Sequence, residues 1–258
     1  MCGIDLLSFP KPVLFEIGKK IEEIKDLINF CSTCKKLRSL KDSFWSPLLQ
    51  KHYPKSYEQK MNEEECKRRY KAIHRIKPKI VFLLIQNLKE NDFFLDFKGT
   101  LLQPCKHEDY LRLKEQIKGL KDEEAALLIS QSKDALLISN TILNLINASP
   151  NLDFKIDLER FKTEKDQLGF VKDNLNNWGE SNLYFLSEFL DFLELLSAHS
   201  EKNQHDSKRL VFSQFTLFIR PPPSTIFMGK YSSVPGFEEA LNVFIMIFEN
   251  RKILFPTI

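Results

Sequence analysis

Residues 5–54 read DLLSFPKPVLFEIGKKIEEIKDLINFCSTCKKLRSLKDSFWSPLLQKHYP, and this stretch contains three short helical patterns. The first follows Pro10 and Pro12, and a proline in the first turn of a helix loses no hydrogen bond. At 100° per residue, four of its apolar residues share one face: Val13, Leu14, Ile17 and Ile21. Phe15 points away from that face, so we expect another part of the chain to cover it.

The second helical pattern spreads its apolar side chains over about half of the helix circumference, which is wider than one core requires. Its apolar residues are Leu27, Ile28, Phe30, Cys31, Cys34 and Leu37. The third pattern is a short turn that carries a large aromatic residue, Trp45. A unit of this length buries too little surface to be comfortably stable alone. Residues 5–54 are therefore expected to pack either on the rest of the chain or on a partner.

The arrangement of these three patterns resembles an F-box. An F-box opens with an apolar–proline pair before an apolar helix, matched here by Phe9-Pro10 and then Val13, Leu14 and Ile17. Its middle helix is matched by Asp26-Leu27-Ile28 and by Thr33-Cys34-Lys35-Lys36, and its closing tryptophan and apolar pair by Trp45 and Leu48-Leu49. The sequence departs from the family pattern in having Lys11 and Pro12 after the opening pair and Gly18 where a larger residue is common.

The resemblance implies that this unit binds the small adaptor subunit of a cullin–RING ubiquitin ligase, and that the rest of the chain recruits a protein substrate for ubiquitination. It implies protein–protein binding in the ubiquitination pathway, without an active site and without a cofactor. The expected adaptor-binding surface consists of Phe9, Pro10, Val13, Leu14, Ile17, Leu27, Ile28, Cys34, Trp45 and Leu48. Two alternatives remain open: a self-contained structural or interaction protein, and an enzyme with an unrecognised site.

Composition places the chain among globular proteins. Of its 258 residues, 43% are hydrophobic and 28% charged, and the formal net charge of +3 is too small to indicate a nucleic-acid partner. No apolar run is long enough to predict a membrane span, and the N-terminus lacks the pattern of a secretory signal. Five irregularly spaced cysteines favour a reducing compartment. We therefore expect the cytoplasm, the host cytoplasm if a pathogen encodes the chain, or the nucleus.

Residues 55–77 are predicted to form a basic linking helix. Asn62 and Glu65 have the spacing of a capping box, and the apolar residues that follow have helical spacing. The cationic side chains are Arg68, Arg69, Lys71 and Arg75. An RNA contact is one interpretation of this charge, but no aromatic stacking platform accompanies it, and a solvated helix face is the favoured interpretation.

Residues 78–258 are expected to form a mixed, largely helical domain, so the fold class predicted for the chain is mostly α with some β (α+β). Residues 80–85 fit a buried helix or a strand equally well. Strands are predicted at residues 93–97, at residues 152–158 from strict alternation, and at residues 210–219, before three prolines.

Helices are predicted at residues 110–117, twice within 122–147, at 181–200 and at 236–250, with a polar loop at 201–208. The 181–200 helix is the most apolar of them and should be central to a core. Within it, Phe189 and Leu193 should be shielded, and Glu188 and Asp191 should reach solvent.

No catalytic motif is present in the sequence. The serine-hydrolase, zinc-protease, phosphate-loop and dinucleotide-binding patterns are all missing. His52, His74, His199 and His205 stand alone in the sequence, whereas His107 is followed directly by two carboxylates. Cys31 and Cys34 have the spacing of half a zinc site, but further ligands with paired spacing are missing, and both fall on an apolar face where cysteine is a normal core residue. No metal is therefore predicted.

Overall fold

The structure, a computed structural model, describes residues 10–21, 24–32, 40–149, 152–219 and 236–255, with the side chains of residues 24, 25, 28, 41 and 42 excepted. The chain divides into two compact units, Met1–His74 and Arg75–Ile258.

The first unit consists of short helices in its described part. They are α1 (Lys11–Lys19), α2 (Ile24–Ser32), a 3₁₀ turn (Lys41–Phe44), α3 (Trp45–His52), a second 3₁₀ turn (Pro54–Ser56) and α4 (Glu63–Arg75). The predicted capping box forms at the start of α4: the Asn62 N–H donates to the Glu65 carboxylate, and the Glu65 N–H donates to the Asn62 side chain, each at 2.9 Å. The prediction of short helices is thus confirmed for the described residues.

The second unit is also helical. Its first helices are α5 (Lys79–Leu88), α6 (Asp92–Leu95), α7 (His107–Ile117), α8 (Asp122–Ser130) and α9 (Ala135–Asn147). They are followed by α10 (Leu158–Thr163), α11 (Gln167–Asn176), α12 (Glu180–Ala198), α13 (Ser200–Asn203) and α14 (Ser207–Gln214). After a 3₁₀ turn (Phe215–Leu217), the last helices are α15 (Phe237–Glu249) and α16 (Arg251–Leu254).

The predicted α+β fold class is wrong. The described residues contain helices, turns and extended connections but no strand, so the fold is all-α there. The ambiguous run at residues 80–85 is part of α5, whose apolar residues are buried around most of its circumference.

Local capping residues decide two of the three wrong strand predictions. The Asn91 side chain accepts a hydrogen bond from the Phe94 N–H at 3.1 Å and starts α6, which includes the first three residues of the predicted strand 93–97. Asp206 does the same for the Arg209 N–H at 2.8 Å, so residues 210–214 continue α14. An N-cap of this kind stabilises a helix start by about 1 kcal/mol, which outweighs the weak strand preference of a short aromatic run.

The third predicted strand, residues 152–158, is a connection without regular structure at residues 153–157, and α10 begins at its last residue; no strand pairs with it in the described part of the chain. Leu152 and Phe154 are buried, as the alternation predicted, and the Phe154 N–H donates to the Phe218 carbonyl at 2.6 Å. Asp157 then caps α10 through the Arg160 N–H. Alternation therefore marked a chain segment with one buried side, and it could not specify whether another strand would pair with it.

Helix α12 is the centre of the second unit's core, as predicted. It packs against α5 and α14, and Phe189 and Leu193 are completely buried. Asp191 reaches solvent as expected, with its side chain 51% exposed. The expectation for Glu188 is wrong: its side chain is only 17% exposed, and its carboxylate accepts hydrogen bonds from Gln86 and from Lys89 of α5.

Candidate functional site

The residues predicted to bind an adaptor divide into buried and exposed groups. Leu14, Leu27, Trp45 and Leu48 are buried, Ile17 is half-buried, and Pro10 and Val13 are exposed, Val13 at 40%. Phe9 and Cys34 lie outside the described residues, as does the side chain of Ile28. Of the predicted docking residues on and before α1, those that are exposed or half-buried are therefore Pro10, Val13 and Ile17, and we call them the apolar strip.

Helix α1 turns its other apolar side towards the 3₁₀ turn at Lys41–Phe44. The Phe44 ring stacks on Phe15 with 4.9 Å between ring centroids, which supplies the cover that the sequence required for Phe15. Gly18 faces the same ring so closely that a Cβ atom at this position would overlap it. The glycine that departs from the F-box pattern thus makes room for Phe44.

Tyr70 of α4 is the centre of an aromatic cluster in the first unit. Its ring lies 5.9 Å from Trp45, 5.4 Å from Tyr53, 6.0 Å from His52 and 5.9 Å from His74, between centroids. The Lys71 ammonium lies 5.6 Å from the centroid of the Trp45 ring. The tryptophan of the predicted docking surface is therefore enclosed by residues of α3 and α4.

Hydrogen bonds attach α4 to the start of α3 and to the chain at the end of the second 3₁₀ turn. The Ser46 N–H donates to the Glu63 carboxylate at 3.1 Å, and Arg69 donates to the Ser56 carbonyl at 3.0 Å and to Glu58 at 2.9 Å. Arg69 and Lys71 therefore make contacts within the first unit. The basic helix that the sequence placed between the two domains packs as part of the first.

The second unit contains a charged cluster that the sequence did not indicate. His199 follows α12, and its Nδ1 lies 2.6 Å from one oxygen of Asp96, while Lys202 of α13 donates to the other oxygen at 2.6 Å. Hydrogen bonds from Lys202 and His199 lower the pKa of the Asp96 carboxyl, and the bond to Asp96 raises the pKa of Lys202. An aspartate–histidine pair can position a proton, but catalysis would also need a substrate or nucleophile within hydrogen-bonding reach.

His205 is buried and also makes a long-range polar contact. The Gly99 N–H donates to its Nε2 at 3.1 Å. His199 and His205 are isolated in the sequence, but in the structure each has a polar partner. The partners of these histidines are separated from them by 103 and 106 residues. No local motif could have revealed contacts over such a distance.

The cysteines are distributed over both units. Cys31 and Cys66 are buried, and burial raises the pKa of the Cys66 thiol. Cys105 is half-buried, and its pKa is raised by burial and by the nearby charge of Asp134. Within the described ranges, no three His, Cys, Asp or Glu side chains are grouped to hold a metal ion, and no helix is long and apolar enough to cross a membrane.

Comparison with known proteins finds no protein-family model that matches the chain and no curated protein that matches it.

Proposed function

We propose that the first unit is an F-box-like docking unit. It binds the small adaptor subunit of a cullin–RING ubiquitin ligase, and the second unit recruits a protein substrate for ubiquitination. The observation that carries the proposal is the exposed apolar strip on α1, where Val13 is 40% exposed beside the half-buried Ile17. Adjacent apolar side chains that solvent reaches supply the kind of surface that a partner can cover.

The internal packing of α1 supports a rigid docking surface. Leu14 and Gly18 are buried, and Phe15 stacks on Phe44, so the backbone of the helix is held on one side while the strip stays accessible on the other. A preorganised helix face loses little conformational entropy when it binds, which favours affinity.

The proposal is tested with the full chain and the purified adaptor subunit, by calorimetry or surface plasmon resonance. Each side chain that acts as an interface anchor contributes about 2 kcal/mol, so Val13→Ala combined with Ile17→Ala should weaken binding by about three orders of magnitude. Circular dichroism should show an unchanged fold, because Val13 is exposed and Ile17 only half-buried.

Leu127→Ala is the matched control. Leu127 of α8 is an apolar residue with 53% exposure in the second unit, so its truncation should leave adaptor binding unchanged. Wild-type chain that does not capture the adaptor, or a folded double variant that binds it as tightly as wild type, contradicts the proposal.

The second candidate function is a self-contained interaction protein without a ubiquitin link. The burial of Leu14, Leu27, Trp45 and Leu48 favours it, because these predicted docking residues contribute to the protein's own core. The adaptor-binding experiment separates the two candidates.

A further inference from the structure

Residues 96–103, which we call the clamped segment, connect α6 to the turn before α7 and are held by side chains from distant helices. The Leu101 N–H donates to the Ser139 hydroxyl at 3.1 Å, and the Leu101 carbonyl accepts from Gln214 at 2.9 Å. The Gln103 carbonyl accepts from Asn140 at 3.0 Å. Side chains of α9 and α14 thus satisfy three backbone groups of this irregular segment, in addition to the backbone hydrogen bonds that it forms internally.

The clamped segment also contains strained backbone. Gly99 has φ +100°, and Leu101, which is not a glycine and is buried, has φ +60°. A left-handed conformation is unfavourable for leucine and persists only where surrounding contacts hold it. Loss of one such contact should therefore favour a local change in this segment over global unfolding.

His205 supplies the contact at Gly99, and its geometry fixes its protonation state. The Gly99 N–H can only donate, so Nε2 of His205 must carry a lone pair, and the ring proton of the neutral imidazole lies on Nδ1. The side chain is 2% exposed, and Nδ1 is buried without a hydrogen-bond partner in the described structure. A second ring proton would remove the acceptor for Gly99 and place a positive charge in the core.

The charges around His205 act on it from several elements. Burial lowers its pKa from the ordinary 6.5, and Arg209 of α14 lowers it further, whereas the Gln204 backbone and Asp206 act in the opposite direction. Helix α13 carries Glu201 and Lys202. The clamped segment itself carries Asp96, which His199 and Lys202 bind, and Lys98, which is exposed. Helix α9, which contacts the clamped segment through Ser139, contains no charged residue, so it supplies no charge to balance an imidazolium.

We propose that His205 is a proton-operated latch: neutral His205 holds the clamped segment closed through Gly99, and protonated His205 releases the segment around Gly99–Leu101. The release is local, because Asp96 remains bound to Lys202 and to His199 at the start of the segment. The second unit thereby responds to acidification at one segment while the core around α12 stays folded.

The direction of the pH dependence follows from the lowered pKa. The open state, in which His205 is solvated at its ordinary pKa of 6.5, binds more protons than the closed state. The closed state is therefore fully favoured above pH 6.5 and loses stability as the pH falls towards the lowered pKa. Between pH 7.5 and pH 5.5 the opening equilibrium constant should rise, and about tenfold is the upper limit for one histidine with an open-state pKa of 6.5.

Amide hydrogen exchange of the full chain, corrected for the intrinsic pH dependence of exchange, tests the latch. In wild type, the protection factors of the Gly99 and Leu101 amides should fall between pH 7.5 and pH 5.5, by at most about tenfold, while those of α12 stay unchanged. In His205→Gln, the side-chain amide oxygen can accept the Gly99 hydrogen bond but cannot titrate in this range, so both protection factors should be independent of pH.

His107→Gln is the matched control. His107 is the exposed first residue of α7, so the variant should keep the wild-type response at Gly99. A wild-type chain without a pH response at Gly99, an equal loss of protection in α12, or a full pH response in His205→Gln overturns the proposal.

A measurement on wild type alone keeps the proposal testable if His205→Gln does not fold. Long-range ¹H–¹⁵N spectra should show an unprotonated Nε2 on His205 at pH 7.5, and the imidazole should titrate with the same midpoint as the loss of protection at Gly99. Titration of the ring without any change in the Gly99 amide would show that His205 is not a latch.

Discussion

Helix α12 and residues 99–101 of the clamped segment are both buried in the second unit, and opposite kinds of interaction hold them there. The helix satisfies its own backbone and is stabilised by apolar side chains, among them the fully buried Phe189 and Leu193. The clamped segment has an irregular backbone whose polar groups depend on buried partners such as Ser139, His205 and Gln214. Apolar burial is insensitive to pH, whereas a buried polar contact fails when one partner changes its protonation state. This difference predicts that the core around α12 keeps its structure when the pH falls, whereas the clamped segment opens.

The largest expected effect comes from the apolar side of this comparison. Leu193→Ala removes a fully buried side chain from α12 and leaves a cavity, so the free energy of unfolding should fall by about 2–5 kcal/mol. Chemical denaturation followed by circular dichroism measures it. Leu128→Ala, at a leucine of α8 that is 40% exposed, should change stability by no more than about 0.5 kcal/mol. A loss below about 0.5 kcal/mol for Leu193→Ala would contradict the central position of α12.

A smaller loss of stability is expected from the polar contacts of Asn203, the last residue of α13. Asn203 donates to the Leu95 and Leu196 carbonyls and accepts from the His205 N–H, each at 2.8 Å. Asn203→Ala leaves these buried groups unsatisfied and should lower the free energy of unfolding by about 1–3 kcal/mol.

Asn177→Ala is the control for this variant. Asn177 is exposed and donates to a carbonyl one turn earlier, so its loss should cost about 0.5 kcal/mol or less. Equal losses for Asn177→Ala and Asn203→Ala would show that the contacts of Asn203 contribute no more than an exposed hydrogen bond.

The smallest expected effects sharpen the comparison within α12 itself. Glu188→Ala removes the acceptor of Gln86, which is buried, and should destabilise the protein by about 1 kcal/mol. Asp191→Ala, three residues later on the exposed side, should change the free energy of unfolding by no more than about 0.5 kcal/mol. The same denaturation experiment measures both, and equal effects would mean that Glu188 acts as a surface residue.

The sequence by itself determined the features that depend on local interactions. Helical periodicity predicted α12 and the burial of Phe189 and Leu193, and the Asn62–Glu65 spacing predicted the start of α4. Such features are readable because each helix forms its hydrogen bonds and its apolar face within a few residues of sequence.

Tertiary structure decided the remainder. It enclosed Trp45 while leaving Val13 exposed. It also brought His205 to Gly99 across 106 residues of sequence. These outcomes depend on which surfaces meet after the chain has folded, because burial and long-range polar contacts are properties of the packed whole, and a local pattern contains no information about distant partners.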